Sequence, residues 1–205
     1  ACAPFRRLYI VRQKFRTYRT KKITTHNLLL DVCLAAQYEG ESISADHVKY
    51  RGNNTDLNTD ICTELARSFA DIGDIVRGKD LYRGNNREND KLEKKLKEYF
   101  KKIYEGLKNK EGAETHYGGD APYYYQLRED WWTANRHTVW EALTCKAEGA
   151  SYFHATCDSG DRQGPSVARN QCRCTKSSGA NDDVNIVPTY FDYVPQFLRW
   201  FEEWA

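Results

Sequence analysis

The residues of this chain best suited to chemistry lie in one stretch, LREDWWTANRHTVWEALTC, which gathers Asp130, His137, Glu141 and Cys145 between Leu127 and Cys145. A cysteine in hydrogen-bond contact with a histidine would be a nucleophile beside its general base, and a carboxylate could orient the imidazole. Placed on a helix, the ingredients separate. Trp131, Trp132, Thr138, Val139, Ala142, Leu143 and Cys145 share one broad face, whereas Asp130, His137 and Glu141 lie on the other. His137 and Cys145 stand about 12 Å apart along the axis at about 1.5 Å per residue, so this helix alone assembles no dyad. His137 is therefore expected at the solvent side, pairing with Glu141 one turn on, and Cys145 is expected to be half of a disulfide. Trp140 sits roughly 180° from Trp131, so the helix is aromatic on two sides, as suits a central bundle element or one with a face reserved for a partner.

Other constellations point away from catalysis as well. Cys172-Arg173-Cys174 has no histidine or further cysteine at a companion spacing, which favours disulfides over a metal. ADIGDIVRGKD has two glycines but lacks the strand and spacing of a phosphate cradle, and no nucleophile elbow or zinc-protease helix is present. The expectation is no enzyme, no cofactor and no metal. Seven cysteines, at positions 2, 33, 62, 145, 157, 172 and 174, imply an oxidising, extracellular setting, and that compartment also sets nucleic-acid binding aside. The odd count leaves Cys2 as the natural orphan, and the chain reads as an excerpt of a longer polypeptide. No run approaches the roughly eighteen apolar residues of a membrane helix, so no direct membrane insertion is expected. Asn53-Asn54-Thr55 is a glycosylation sequon, a pattern short enough to recur by chance.

The elements that must position these residues are helical. At 205 residues the length favours one compact unit, and five tryptophans supply buriable surface despite a mean hydropathy of -0.81. NLLLDVCLAAQY, residues 27 to 38, predicts a helix closed by Glu39-Gly40, and YRGNNTDLN predicts a loop. Thr59 or Asp60 can cap the next helix, where Ile61, Leu65, Phe69, Ile72 and Val76 recur at helical spacing and Gly78 suits the C-terminal cap. A long helix from about Lys91 to Lys110 buries only a narrow stripe, Leu92, Leu96, Phe100, Ile103 and Leu107, and is otherwise lysine and glutamate. After Cys145 the long polar, glycine-rich stretch needs tethering, and three cysteines can supply it. Pro195 opens a last helix with Phe197, Phe201 and Trp204 on one face. With no strand-like alternation and no internal repeat, the class is all-α.

Charge is unevenly placed. The net charge is only +2, yet Arg6, Arg7, Arg12, Lys14, Arg16, Arg19, Lys21 and Lys22 precede the first acidic residue, Asp31. Such a block attracts phosphate, sulfate or sialic acid in a salt-dependent way. Lys94, Lys95, Lys101, Lys102, Lys108 and Lys110 form a second basic group on the exposed part of the long helix, interleaved with Glu93, Glu98 and Glu105. The bland reading of that helix is a solvated face.

Six motifs in order, CAPFRRL, DVCLAAQYEGESI, ICTELARSFADIGDIVRGKDLY, LREDWWTANRHTVWEALTC, QCRC and VPTYFDYVPQFLRWFEEWA, closely resemble the Duffy-binding-like domain over essentially the whole chain. They are most similar to the alpha class of the Plasmodium falciparum erythrocyte membrane protein family, which malaria parasites display on infected red cells. The resemblance implies an all-helical, disulfide-stapled adhesion domain: residues 1–23 from a first subdomain, 24–194 a second-subdomain bundle, and 195–205 the start of a helix entering a third. It implies the pairings Cys33 with Cys145, Cys62 with Cys174, and Cys157 with Cys172. The first closes a loop worth about 4.7 kcal/mol in the chain-entropy model. Val11 departs from the family pattern, which has a cysteine near this place, and removes one half of a first-subdomain bridge.

By the same resemblance the function is host-cell adhesion at the extracellular face of the infected erythrocyte, within a larger membrane-anchored protein. Partners would be heparan-sulfate-like glycans, blood-group sugars or complement receptor, as in rosetting and cytoadherence, together with antibodies and neighbouring domains of the same chain. The glycan contacts assigned are Arg6, Arg7, Arg12, Lys14, Arg16, Arg19, Lys94, Lys95, Lys101, Lys102, Lys108 and Lys110, because guanidinium forks match sulfate geometry and clustered cations release counterions. The alternative is a structural spacer whose surface chiefly varies antigenicity.

Overall fold

In a computed structural model the residues described are 25–53, 60–81, 86–108, 110, 112–152, 154–157, 166–168, 170–174 and 187–204. They form α1 (Thr25–Asn53), α2 (Ile61–Arg77), α3 (Asn86–Leu107), α4 (Ala113–Tyr117), α5 (Tyr125–Leu143), a short 3-10 turn (Phe191–Tyr193) and α6 (Gln196–Trp204). Among the described residues no strand forms; Cys157 and Ser166 make one isolated antiparallel bridge. The fold is the all-α bundle read from the periodicity.

The tryptophan helix α5 lies at the centre, packed on α1, α2 and α3. Trp132 and Trp140 are fully buried and both meet Phe69 of α2, each with ring centroids 5.1 Å apart. Trp131 turns to α3 and meets the edge of Phe100 at 6.2 Å. Rings on both sides of α5 thus bind two neighbours at once, each contact adding to plain area burial.

Helix α2 begins and ends where its caps dictate. Asp60 accepts the Cys62 N–H at 3.0 Å, and Gly78, at φ 74, donates to the Ile75 carbonyl at 3.2 Å. Helix α3 buries Leu96, Phe100 and Ile103, with Leu92 and Leu107 partly covered, a narrow stripe as expected.

Three expectations are corrected. Helix α1 does not close at Glu39-Gly40 but continues to Asn53. Gly40 is there for close approach: a Cβ on it would lie 1.8 Å from the Leu143 carbonyl oxygen. Next to it, Glu39 is buried and accepts from Ser68 of α2 at 3.2 Å. On α6 the face of Phe197 and Phe201 is exposed, Phe201 to 77%, while Gln196, Arg199 and Trp200 turn inward. Charge, as well as apolar area, orients that helix.

The third correction is the cysteine pairing. Cys62 bonds Cys172, and Cys157 bonds Cys174. Two cysteines two positions apart can exchange partners, and local backbone decides between them. Asn170, Gln171 and Cys172 all take positive φ, at 59, 54 and 53°. This left-handed run sets the Cys172 N–H on the Ala150 carbonyl at 3.1 Å and its own carbonyl under the Trp140 indole N–H at 3.1 Å, at the start of α2 where Cys62 waits. Cys33 and Cys145 are free thiols rather than a bridge. They line one depression, the tight crossing of α1 and α5 being made at Gly40 and Leu143 instead.

Candidate functional site

The depression that holds the two free thiols has a volume of about 400 Å³ and is also lined by Thr138, Glu141, Ala142, Gln171 and Arg173. Burial, and the Glu141 carboxylate nearby, push the Cys33 thiol up to about 11, so it is protonated at neutral pH and a poor nucleophile. Arg173 donates to Thr144 Oγ1 at 2.8 Å and to the Glu141 carbonyl at 2.6 Å, with the Glu141 carboxylate at 3.6 Å. Glu141 therefore faces Arg173 rather than His137, which lies exposed on the far side of α5. Of the ingredients of the LREDWWTANRHTVWEALTC stretch, Glu141 and Cys145, expected on opposite faces, share this depression, and His137 does not join them. Among the described residues, no group of three His, Cys, Asp or Glu side chains is placed to hold a metal ion.

Outside the core, the assigned lysines of α3 are where helical phasing puts them. Lys94, Lys95, Lys101 and Lys102 are exposed on the helix, and Lys108 and Lys110 are exposed just past its end. Their acidic neighbours engage them loosely: Lys101 is 4.0 Å from Glu105, and Lys108 is 3.9 Å from Glu114 of α4. Pairs this exposed are worth little and leave the cations available. Arg6, Arg7, Arg12, Lys14, Arg16 and Arg19, with Val11, lie outside the described residues.

The sequence reading missed a buried ionic clasp. Arg199 of α6 donates to Asp71 of α2 at 3.0 Å and also meets Asp74. Arg77 reaches Asp74 at 3.0 Å, Glu129 at 3.1 Å and the Asp192 carbonyl. The Asp192 carboxylate accepts from Arg136 at 2.7 and 2.9 Å and from the Trp132 indole N–H at 2.9 Å. Burial pushes the Asp74 carboxyl up, with Arg199 and Arg77 pulling it the other way. The clasp fastens the segment from Thr189 to Arg199 onto α2 and α5. Its signal is the i, i+3 spacing of Asp71, Asp74 and Arg77 in DIGDIVR, which places all three near one another on the helix that Ile72 and Val76 already define.

A second missed feature lies ahead of α5. Tyr123 and Tyr125 are stacked in the open, 46% and 50% exposed, with ring centroids 5.4 Å apart and planes 3° from parallel. Lys97 of α3 stands 4.2 Å from the Tyr123 centroid. Asp120 caps α5 beside them, accepting from the Gln126 and Leu127 N–H groups at 3.1 and 2.9 Å.

Comparison with known proteins adds a family to this geometry. The model of the Duffy binding domain family matches residues 1–199. The solved NTS-DBL1(alpha-1) domain of Plasmodium falciparum membrane protein 1 (PfEMP1) from the varO strain is 42% identical, with a TM-score of 0.74; the match covers 100% of this chain and 43% of that one. The N-terminal NTS-DBL1-alpha and CIDR-gamma double domain of PfEMP1 from the same strain is 44% identical at a TM-score of 0.75, over 100% of this chain and 27% of that one. A PfEMP1 DBLbeta domain solved bound to ICAM-1 is 33% identical at a TM-score of 0.57, over 87% of this chain and 37% of the other. The present chain thus spans less than half the length of these structures. No curated protein matched.

Proposed function

The chain belongs to the Duffy binding domain family, and from that premise we propose that it is a non-enzymatic adhesion domain that binds a host receptor, foremost a heparan-sulfate-like glycan. It would act at the extracellular face of the infected erythrocyte, as part of a larger membrane-anchored protein. The observation that carries this reading is the exposed lysine face of α3, where Lys94, Lys95, Lys101 and Lys102 lie within about two and a half turns of one helix and Lys108 follows just past its end. Cations fixed at this spacing can engage successive sulfates of an extended chain, and their combined counterion release makes binding steeply salt-dependent. Blood-group sugars, or complement receptor as a protein partner, are the other receptors that this adhesion reading admits. Adhesion as a class is supported by the DBLbeta domain solved bound to ICAM-1.

One observation favours a spacer instead: Glu105 and Glu114 stand within 4.0 Å of Lys101 and Lys108, as on an ordinary solvated helix. Immobilised heparin at rising salt separates the readings. An adhesion domain is retained beyond unrelated proteins of equal net charge, and reversing the charges of Arg6 to Arg19 or of the α3 lysines shortens that retention. Elution together with the charge-matched proteins would establish the spacer.

A further inference from the structure

Tyr124 holds φ 57, a left-handed conformation that a bulky side chain rarely enters, and its buried ring lies 5.9 Å from Tyr104 of α3. The consequence is that its two neighbours leave the core together. Tyr123 and Tyr125 emerge as the parallel, half-exposed pair described above, and beside Tyr125, Gly78 leaves room chiefly for the Arg128 guanidinium: a Cβ there would lie 2.2 Å from Arg128 Nη1 and 3.1 Å from Tyr125 Cε1. The strained turn seats Tyr124 in the core and leaves the two flanking rings half in water, where paired apolar faces are available for contact with something else.

The charge beside the rings is also unbalanced. Lys97 is 3.8 Å from Glu93, but both Glu93 oxygens accept from the buried Arg128, at 3.1 and 3.2 Å. Lys97 therefore shares its carboxylate with a second, more closely held cation. Lys94 and Lys101, one turn to either side of Lys97 on α3, extend the positive edge.

We propose that Tyr123, Tyr125 and Lys97 form a docking site for a sugar ring that carries a carboxylate or sulfate. The ring's C–H face packs on the tyrosines, and its acidic group, or that of the next unit, lies toward Lys97, Lys94 and Lys101. Tyrosine suits this use: its ring is rigid and apolar, and its hydroxyl serves the rim of polar groups a saccharide presents. The assignment rests on the adhesion reading above and names the residues that would discriminate the sugar, as distinct from those that merely attract polyanion.

The test measures binding of the 205-residue chain to an immobilised heparin-derived hexasaccharide across a range of salt. Exchanging both tyrosines for alanine (Tyr123→Ala with Tyr125→Ala) is expected to weaken binding about tenfold with the salt slope unchanged, because stacking releases no counterions. The paired Tyr→Phe variant keeps the rings and most of the affinity. Lys97→Gln instead lowers the slope by about one. Unchanged circular dichroism of each variant establishes that the fold is intact. If the alanine variant binds like the unaltered chain, the site is overturned while the adhesion reading stands. If the unaltered chain binds no better than a protein of equal charge, both fall. Loss of erythrocyte binding with heparin binding retained would also overturn the site, and would assign these rings to a protein receptor.

Discussion

Arg199 donates to Asp71 at 3.0 Å across 128 residues of sequence, and both side chains are almost completely withdrawn from water. Taking two charges out of water is costly, and the pair is tolerated because Asp74, Arg77, Asp192 and Arg136 continue the network on either side. Breaking it leaves a buried carboxylate without its cation. Arg199→Met is expected to cost about 3–5 kcal/mol in denaturant unfolding, against about 0.5 kcal/mol or less for Lys101→Ala on the exposed face of α3.

Two helical glycines predict opposite signs. Gly40→Ala forces a methyl group into the Leu143 carbonyl and should destabilise by about 1–3 kcal/mol. Gly106→Ala meets nothing within 4 Å near the end of α3 and should stabilise by about 1 kcal/mol, as alanine does in an open helix. Thermal melting of the two variants reads both.

The thiols have distinct signatures. Peptide mapping without reduction should recover Cys62 joined to Cys172 and Cys157 joined to Cys174. Iodoacetamide should label Cys33 slowly at pH 7.5, with the rate climbing as pH approaches about 11, where the buried thiol ionises. In urea the same cysteine should react as an ordinary thiol.

Asp31 gives a pH dependence. Its buried carboxyl, which accepts from the Tyr99 hydroxyl at 2.7 Å, is pushed above its usual value by burial; the Tyr99 hydrogen bond and Lys95 oppose the shift. As pH rises, the unfolded chain releases this proton first, near about 3.9, so this carboxyl's contribution to stability is full below that value and is lost as pH climbs through the higher folded one. Asp31→Asn should remove that decline, leaving the variant more stable than the unaltered chain at pH 7 and equal to it at pH 3.5, as unfolding titrations at the two pH values would report.

Much of the scaffold could be read from spacing alone. The caps Asp60 and Gly78, the stripe Leu96-Phe100-Ile103 and the two-sided aromatic helix α5 each follow from local rules of helix geometry, and each stands where those rules put it. Gly40 reads as a helix end because a glycine that ends a helix and one that admits another backbone are the same letter; only the position of Leu143 distinguishes them. The choice between Cys172 and Cys174 turned on three consecutive positive φ angles in residues whose types do not demand them. Arg199 and Asp71 were invisible as a pair because nothing local links residues so far apart. On the binding surface, the α3 lysines were legible from helical phase, but the stacking of Tyr123 on Tyr125 required the inward turn of Tyr124 between them.

The most direct measurement of the central claim is erythrocyte binding by the intact chain and by a variant with Lys94, Lys95, Lys101 and Lys102 reversed to glutamate, each with and without soluble heparin as competitor. The account predicts that the unaltered chain binds and is displaced by heparin, and that the reversed variant, equally folded, loses most of that binding. Equal binding by both proteins, indifferent to heparin, would contradict it.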